Sequence, residues 1–167
     1  MRTIVYVLVL GVLVLVQTTL LNFIEIFGVK PDLPLVFALC MAMVKNEKVG
    51  ALTGLMNGFL DDILFGRFLG LNTISKSIAG YVVGLGSRNL YKGRTVITMV
   101  LVFTGSVIFN FVFMTIAFLT GELIHPWRNF LPITVASSLI NMLVSPLIYI
   151  GTYRMERFFD YYFDIKY

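Results

Sequence analysis

Six apolar stretches with almost nothing between them punctuate this chain, and that pattern fixes the solvent in which it must fold. They run Ile4–Phe23, Pro31–Val44, Val49–Phe65, about Leu69 to Leu85, Thr95–Leu119 and Phe130–Ile150. A hydrocarbon core about 30 Å thick takes roughly 20 helical residues at about 1.5 Å each. Six crossings would use most of the 167 residues, and no intervening segment approaches the roughly 50 residues of an independent domain. The composition agrees: 13% of residues are charged, against roughly 25% in a soluble domain, and mean hydropathy is +0.89. We therefore expect an all-α integral membrane protein of six transmembrane helices. Residues 1–151 should form the bundle and 152–167 a cytoplasmic tail.

The first stretch follows Arg2 and holds one interior amide, Gln17. It exceeds the usual h-region of a secretory signal and lacks a small-x-small cleavage pattern, so a retained anchor is expected. The second stretch is short for a crossing; Pro31 and Pro34 suit a first helical turn, where a missing N–H costs nothing. The fifth and sixth each carry one amide, Asn110 and Asn141, expected to hydrogen-bond within or between helices rather than face lipid. In the tail, Met155, Phe158, Phe159, Tyr162 and Phe163 fall at helical spacing, with Arg154, Glu156, Arg157, Asp160 and Asp164 elsewhere, which predicts an interfacial amphipathic helix.

Orientation follows from the cations. With the N-terminus inside, the cytoplasmic segments hold Arg2, Lys45, Lys48, Arg88, Lys92, Arg94, Arg154, Arg157 and Lys166, against Lys30, Arg67 and Arg128 outside. This bias predicts both termini in the cytoplasm. It also accounts for the net charge of +4 without invoking nucleic acid, which would need a basic stripe interleaved with exposed aromatics. Cys40 is the only cysteine, so no intrachain disulfide forms and plain packing is expected; His125, beside Trp127, reads as an interfacial residue. One His and one Cys make no zinc set, no glycine loop cradles phosphate, and no cofactor is expected.

The informative constellation lies in the third and fourth stretches. Gly50, Gly54 and Gly58 recur every four residues, and Asp62 continues the series. On a helix these positions form one slowly turning strip along which another backbone can approach closely. Gly80 and Gly84 repeat the pattern, with Lys76 one step earlier. The strip serves either packing within the chain or the helix of a partner. With a turn near Arg67 to Gly70, Asp62 and Lys76 fall at similar depth. A charge near the bilayer centre is costly, so three readings are open: an Asp62–Lys76 pair, snorkelling of Lys76 outward, or an ion or substrate site. Asp61 and Asp62, adjacent on a helix and so about 100° apart, do not converge as an acid–base couple.

At these residues the chain resembles the bacterial rod shape-determining protein MreD family. The resemblance rests on a Pro-Asp start to the second stretch, a Gly-rich third stretch closing with an Asp, then Gly and Leu-Gly. Here these are Pro31, Asp32, Gly50, Gly58, Asp62, Gly66, Leu69 and Gly70. Asp61, which doubles the acidic position, and Lys76, where the family generally looks apolar, depart from that pattern. The resemblance implies a scaffold of the elongasome, the machinery of lateral peptidoglycan synthesis. Such a scaffold associates with the bitopic protein MreC, and through it with MreB, RodA and RodA's partner transpeptidase. It also implies an architecture similar to the substrate-binding subunits of energy-coupling-factor transporters, which supplies the alternative function.

An enzyme is not expected, because no nucleophile–base pair or metal set is present. A vitamin-binding subunit would need an outward mouth, for which Asp61, Asp62, Asn72, Lys76, Glu122 and Trp127 are the candidates. A proton or ion path would need ionisable groups across the membrane, and below Lys76 there are only Thr, Ser and Asn. The expected mechanism is helix docking: the glycine strip of the third stretch, or a small-residue face of the fifth, accepts MreC's transmembrane helix. The segment Arg88 to Arg94 and the tail then approach anionic lipid or the filament.

Overall fold

The computed structural model describes residues 2–19, 29–65, 69–88, 95–121 and 130–163. These form six helices: α1 (Arg2–Thr19), α2 (Leu33–Val44), α3 (Glu47–Leu64), α4 (Leu71–Ser87), α5 (Thr95–Leu119) and α6 (Phe130–Phe163). Of these, α5 and α6 are long and apolar enough to cross a membrane.

The shortest helix stands at the centre. α2 has 12 residues, about 18 Å at about 1.5 Å each, and every residue from Leu33 to Met43 is buried. It packs against all the other helices. One face, with Leu35, Val36, Leu39, Cys40 and Met43, meets Ala79 and Val83 of α4, Val102 of α5 and Tyr149 of α6. The other, with Phe37 and Met41, meets Leu10 of α1 and is flanked by Met56 of α3 and Ile148 of α6. A helix enclosed on all sides has no polar face to show, which is why its sequence is apolar throughout.

The outer surface is apolar in turn: Leu8, Leu15, Val96, Leu131, Leu143 and Leu147 are all exposed. Polar side chains go inward, including Thr53, Asn57, Ser75, Lys76, Ser106 and Asn141. Water would oppose both tendencies, whereas lipid favours both. Backbone hydrogen bonding is kept local where it must be. Pro146 inside α6 removes an N–H, and the Ser145 hydroxyl donates to the Met142 carbonyl thus freed, at 2.7 Å.

α3 and α4 form the most extensive helix pair. Their separation is set by glycine: a Cβ on Gly54 would overlap the Lys76 carbonyl, one on Gly58 the Asn72 carbonyl, and Gly50 and Gly80 abut each other. Gly84 lies against the backbone of Glu47. Both glycine ridges therefore face within the chain. α6 continues unbroken past residue 151 to Phe163, so the tail is the sixth helix prolonged. Glu156, expected on the tail's polar face, instead points inward and is buried together with Thr152 and Phe159. The neighbours explain it: Tyr6 of α1 donates to one carboxylate oxygen at 2.5 Å, and Lys45 pairs with the other at 2.7 Å.

Candidate functional site

A helix that starts inside a bundle must have its first amides satisfied without water. α2 solves this with side chains from its neighbours. The Asp32 N–H donates to Asn141 Oδ1 of α6 at 2.9 Å, and the Leu33 N–H to Gln17 Oε1 of α1 at 3.1 Å. Pro34 has no N–H to satisfy, and the Leu35 N–H donates to Asp32 Oδ1 at 2.9 Å. Val36 closes the first turn on the Asp32 carbonyl. Asp32 is thus an N-cap, and the positive end of the α2 dipole lies against its carboxylate.

The free oxygen of Asp32 meets Lys76. The ammonium lies 2.5 Å from Asp32 Oδ2 and pairs also with Asp61 Oδ2. The Asn57 amide, oriented to suit its neighbours, accepts from Lys76 Nζ at 3.3 Å and from the Leu35 N–H at 3.1 Å. An ammonium has three donors, and here each finds an acceptor. The ring of Phe109 on α5 covers the site, its centroid 5.5 Å from Nζ. Lys76 is 1% exposed. Its charge is therefore answered inside the bundle, which corresponds to the pairing reading rather than to outward snorkelling.

The acidic partner differs from the expected one. Asp61, not Asp62, faces Lys76, and the roughly 100° between adjacent helix positions sends Asp62 elsewhere. Asp62 accepts five hydrogen bonds at the start of α4. They come from the N–H groups of Gly70, Asn72 and Thr73 at 2.9 to 3.0 Å, from Asn72 Nδ2 at 3.0 Å and from Thr73 Oγ1 at 2.6 Å. Gly70 occupies the N-cap position with φ of 114°, left-handed backbone that favours glycine, and has no side chain with which to cap. Asp62 does the capping from the neighbouring helix, placing a negative charge at the positive end of α4.

A neutral network adjoins this centre. Asn141 Nδ2 donates to Ser106 Oγ at 3.1 Å, and Asn110 Nδ2 bridges from the Ser106 carbonyl at 2.8 Å to Ser137 Oγ at 3.0 Å. Asn141 thereby joins α6, α5 and the start of α2, as its amide's two-sided chemistry permits.

The opposite end of the bundle carries a second set of charges, outside the apolar stretches. Lys45 pairs with Glu156 and Asp160 of α6. Partial burial acts to lower its pKa, but these two hydrogen-bonded carboxylates outweigh that and raise it. Arg88 at the end of α4 grips Glu47 at the start of α3, and this hydrogen bonding holds the Glu47 carboxyl below its ordinary range.

Of the residues singled out in the sequence, Asp61 and Lys76 pair, Asp62 caps the start of α4 instead, and Asn110 and Asn141 sit in the adjoining network. Gly50, Gly54, Gly58, Gly80 and Gly84 lie in the α3–α4 and α2–α3 contacts. That leaves the third helix no open glycine ridge for a partner, and Gly105 and Ser106 of α5 are likewise buried. Glu122, His125 and Trp127 fall outside the described residues. Sequence reasoning missed Asp32 and Asn57 as ligands of the ammonium. The signal for Asp32 was its position just before Leu33-Pro34, an N-cap followed by a permitted proline.

No curated protein and no solved structure matches the chain. A family does. The description of the matching family model is rod shape-determining protein MreD, and the match covers residues 1–155 of the 167. That match does not favour the transporter-subunit alternative. Matched by that family model over nearly its whole length, the chain belongs to the MreD family, whose role is determination of rod shape.

Proposed function

We propose that the chain is a six-span membrane scaffold of the elongasome with both termini in the cytoplasm, organising lateral peptidoglycan synthesis by docking MreC and, directly or through it, MreB, RodA and its transpeptidase. The family match over residues 1–155 carries this reading. The interior supports it: Lys76, Asp32, Asp61 and Asp62 are engaged with one another or with helix N-termini, so none is left as a nucleophile or general base. The cation distribution supports the orientation. On this reading the protein acts by holding others rather than by chemistry.

The docking surface is the groove between α1 and α6. It has a volume of ≈ 230 Å³, and its walls include Val9, Leu13, Phe37, Ile148, Gly151 and Met155. A Cβ on Gly151 would meet nothing within 4 Å, so an approaching helix finds a small residue facing open space. A single apolar transmembrane helix, as MreC supplies, fits such a seam.

The test is copurification of MreC in mild detergent. Gly151→Leu should reduce recovery at least about tenfold, a loss of about 1.4 kcal/mol, while expression and melting temperature stay unchanged. Gly86→Leu, equally open but away from the groove, should retain the partner. Full recovery with Gly151→Leu would reject the groove, and no recovery of MreC with the unaltered chain would reject the scaffold reading.

A further inference from the structure

At the end of the bundle where α2 closes and α3 opens lies a cavity of ≈ 400 Å³ that the scaffold role does not use. Its floor is Ala42 of α2 and Gly84 of α4, and its rim is Lys45, Asn46, Glu47, Lys48, Ser87 and Arg88. Three of the six rim residues are cations. The one carboxylate is already gripped by Arg88, and Lys45 is engaged by α6. Lys48 is exposed and makes no ion pair among the described residues. It acts on Glu47 only through space.

Several residues that line this hollow have donor capacity beyond the bonds described above. Asn46 spends its Oδ1 on the Val49 N–H at 3.0 Å, which leaves its Nδ2 hydrogens unassigned. Arg88 uses Nε and one terminal nitrogen on Glu47 and is 59% exposed. A concave site with a free ammonium, a part-used guanidinium and an amide donor suits a phosphate oxygen set. Its depth in the chain narrows the source. The cavity opens where the apolar stretches of α2, α3 and α4 end, which on the six-span reading proposed above is the level of lipid headgroups, so a phosphate attached to acyl chains can reach it without leaving the bilayer.

We propose that this cavity binds the phosphate headgroup of an anionic glycerophospholipid, with Lys48, Arg88 and Asn46 as its ligands. The site lies on the cytoplasmic side if the orientation proposed above holds, where anionic lipid attracts basic groups close to the membrane. Headgroup capture there would fix the α2–α3 corner relative to the membrane surface.

The experiment is thermal unfolding of the purified full chain in nanodiscs of phosphatidylcholine, with and without roughly a fifth of phosphatidylglycerol. Phosphatidylglycerol should raise the melting temperature by about 5 °C. Lys48→Gln should remove at least half of that rise. Asn46→Asp, which keeps an acceptor for the α3 cap but brings a negative charge to the rim, should do the same. Arg157→Gln, an exposed cation on α6, should keep the full rise. No rise in the unaltered chain, or one that survives both rim variants, overturns the proposal. So does an equal, Lys48-dependent rise when glycerol phosphate is added to pure phosphatidylcholine discs, since that identifies a soluble phosphate as the ligand. Both leaflets of a disc have one composition, so the result does not depend on orientation, and MreC copurification reads the scaffold role separately.

Discussion

Lys76 tolerates burial because each of its three donors has an acceptor: Asp32, Asp61 and Asn57. Take the ammonium away and two carboxylates are left sharing a low-dielectric interior, with only the α2 dipole as compensation. Lys76→Met should therefore cost about 3–5 kcal/mol, read as a lower melting temperature and reduced monodisperse yield in detergent. Adding Asp61→Asn to Lys76→Met should restore part of the loss, because the repulsion goes with the second charge. A single Lys76→Met variant as stable as the unaltered chain would show that the ammonium is not held by those carboxylates. Asp62 has a different task, and its five hydrogen bonds to the start of α4 replace the side-chain cap that Gly70 lacks.

At the scale of elements, the α3–α4 pair depends on backbone contact that a single methyl would prevent. A Cβ at Gly54 or Gly58 would meet carbonyl and Cα atoms of α4, which cannot swing aside as the end of a flexible side chain can. Gly86 and Gly151 sit on helices as well, but a Cβ there meets nothing within 4 Å. Alanine in a helix is favoured over glycine by about 1 kcal/mol when nothing opposes it. The two sets should thus respond with opposite sign: Gly54→Ala and Gly58→Ala lower the melting temperature, and Gly86→Ala leaves it unchanged or raises it. Equal responses would mean that the helices have room to separate.

Across the whole molecule, two charged layers sit at opposite ends of α2. One holds Asp32, Asp61, Asp62 and Lys76; the other lashes α2 to α6 through Lys45, Glu156 and Asp160, α1 to α6 through Tyr6, and α3 to α4 through Glu47 and Arg88. The second layer gives the fold a defined pH response. Glu47 has a lowered pKa when folded, so its contribution is complete above the ordinary carboxylate range and is lost as pH falls through the folded value. Lys45 has a raised pKa, so its contribution is complete below the ordinary lysine range and is lost as pH rises through the folded value. The melting-temperature gap between the unaltered chain and Glu47→Gln should be widest near neutrality and close in acid. For Lys45→Met the gap should close in alkali instead. A gap independent of pH would remove ionisation from the account.

The amino-acid sequence by itself determined the solvent, the helical class, the glycine spacing and the unusual presence of Asp61, Asp62 and Lys76 in apolar surroundings. These are legible because lipid leaves so few backbone solutions open and makes every ionisable residue conspicuous. Spacing along one helix also separates Asp61 from Asp62, but it cannot say which of them meets Lys76. That was decided by the rotation of α3 against α4, which glycine contacts set, and by α2 beginning where Asp32 reaches the same ammonium. The inward turn of Glu156 was likewise decided by Tyr6 and Lys45, residues more than a hundred positions away. Pairings of that kind are fixed by how helices rotate and stagger when packed, and no periodicity within a single helix records them.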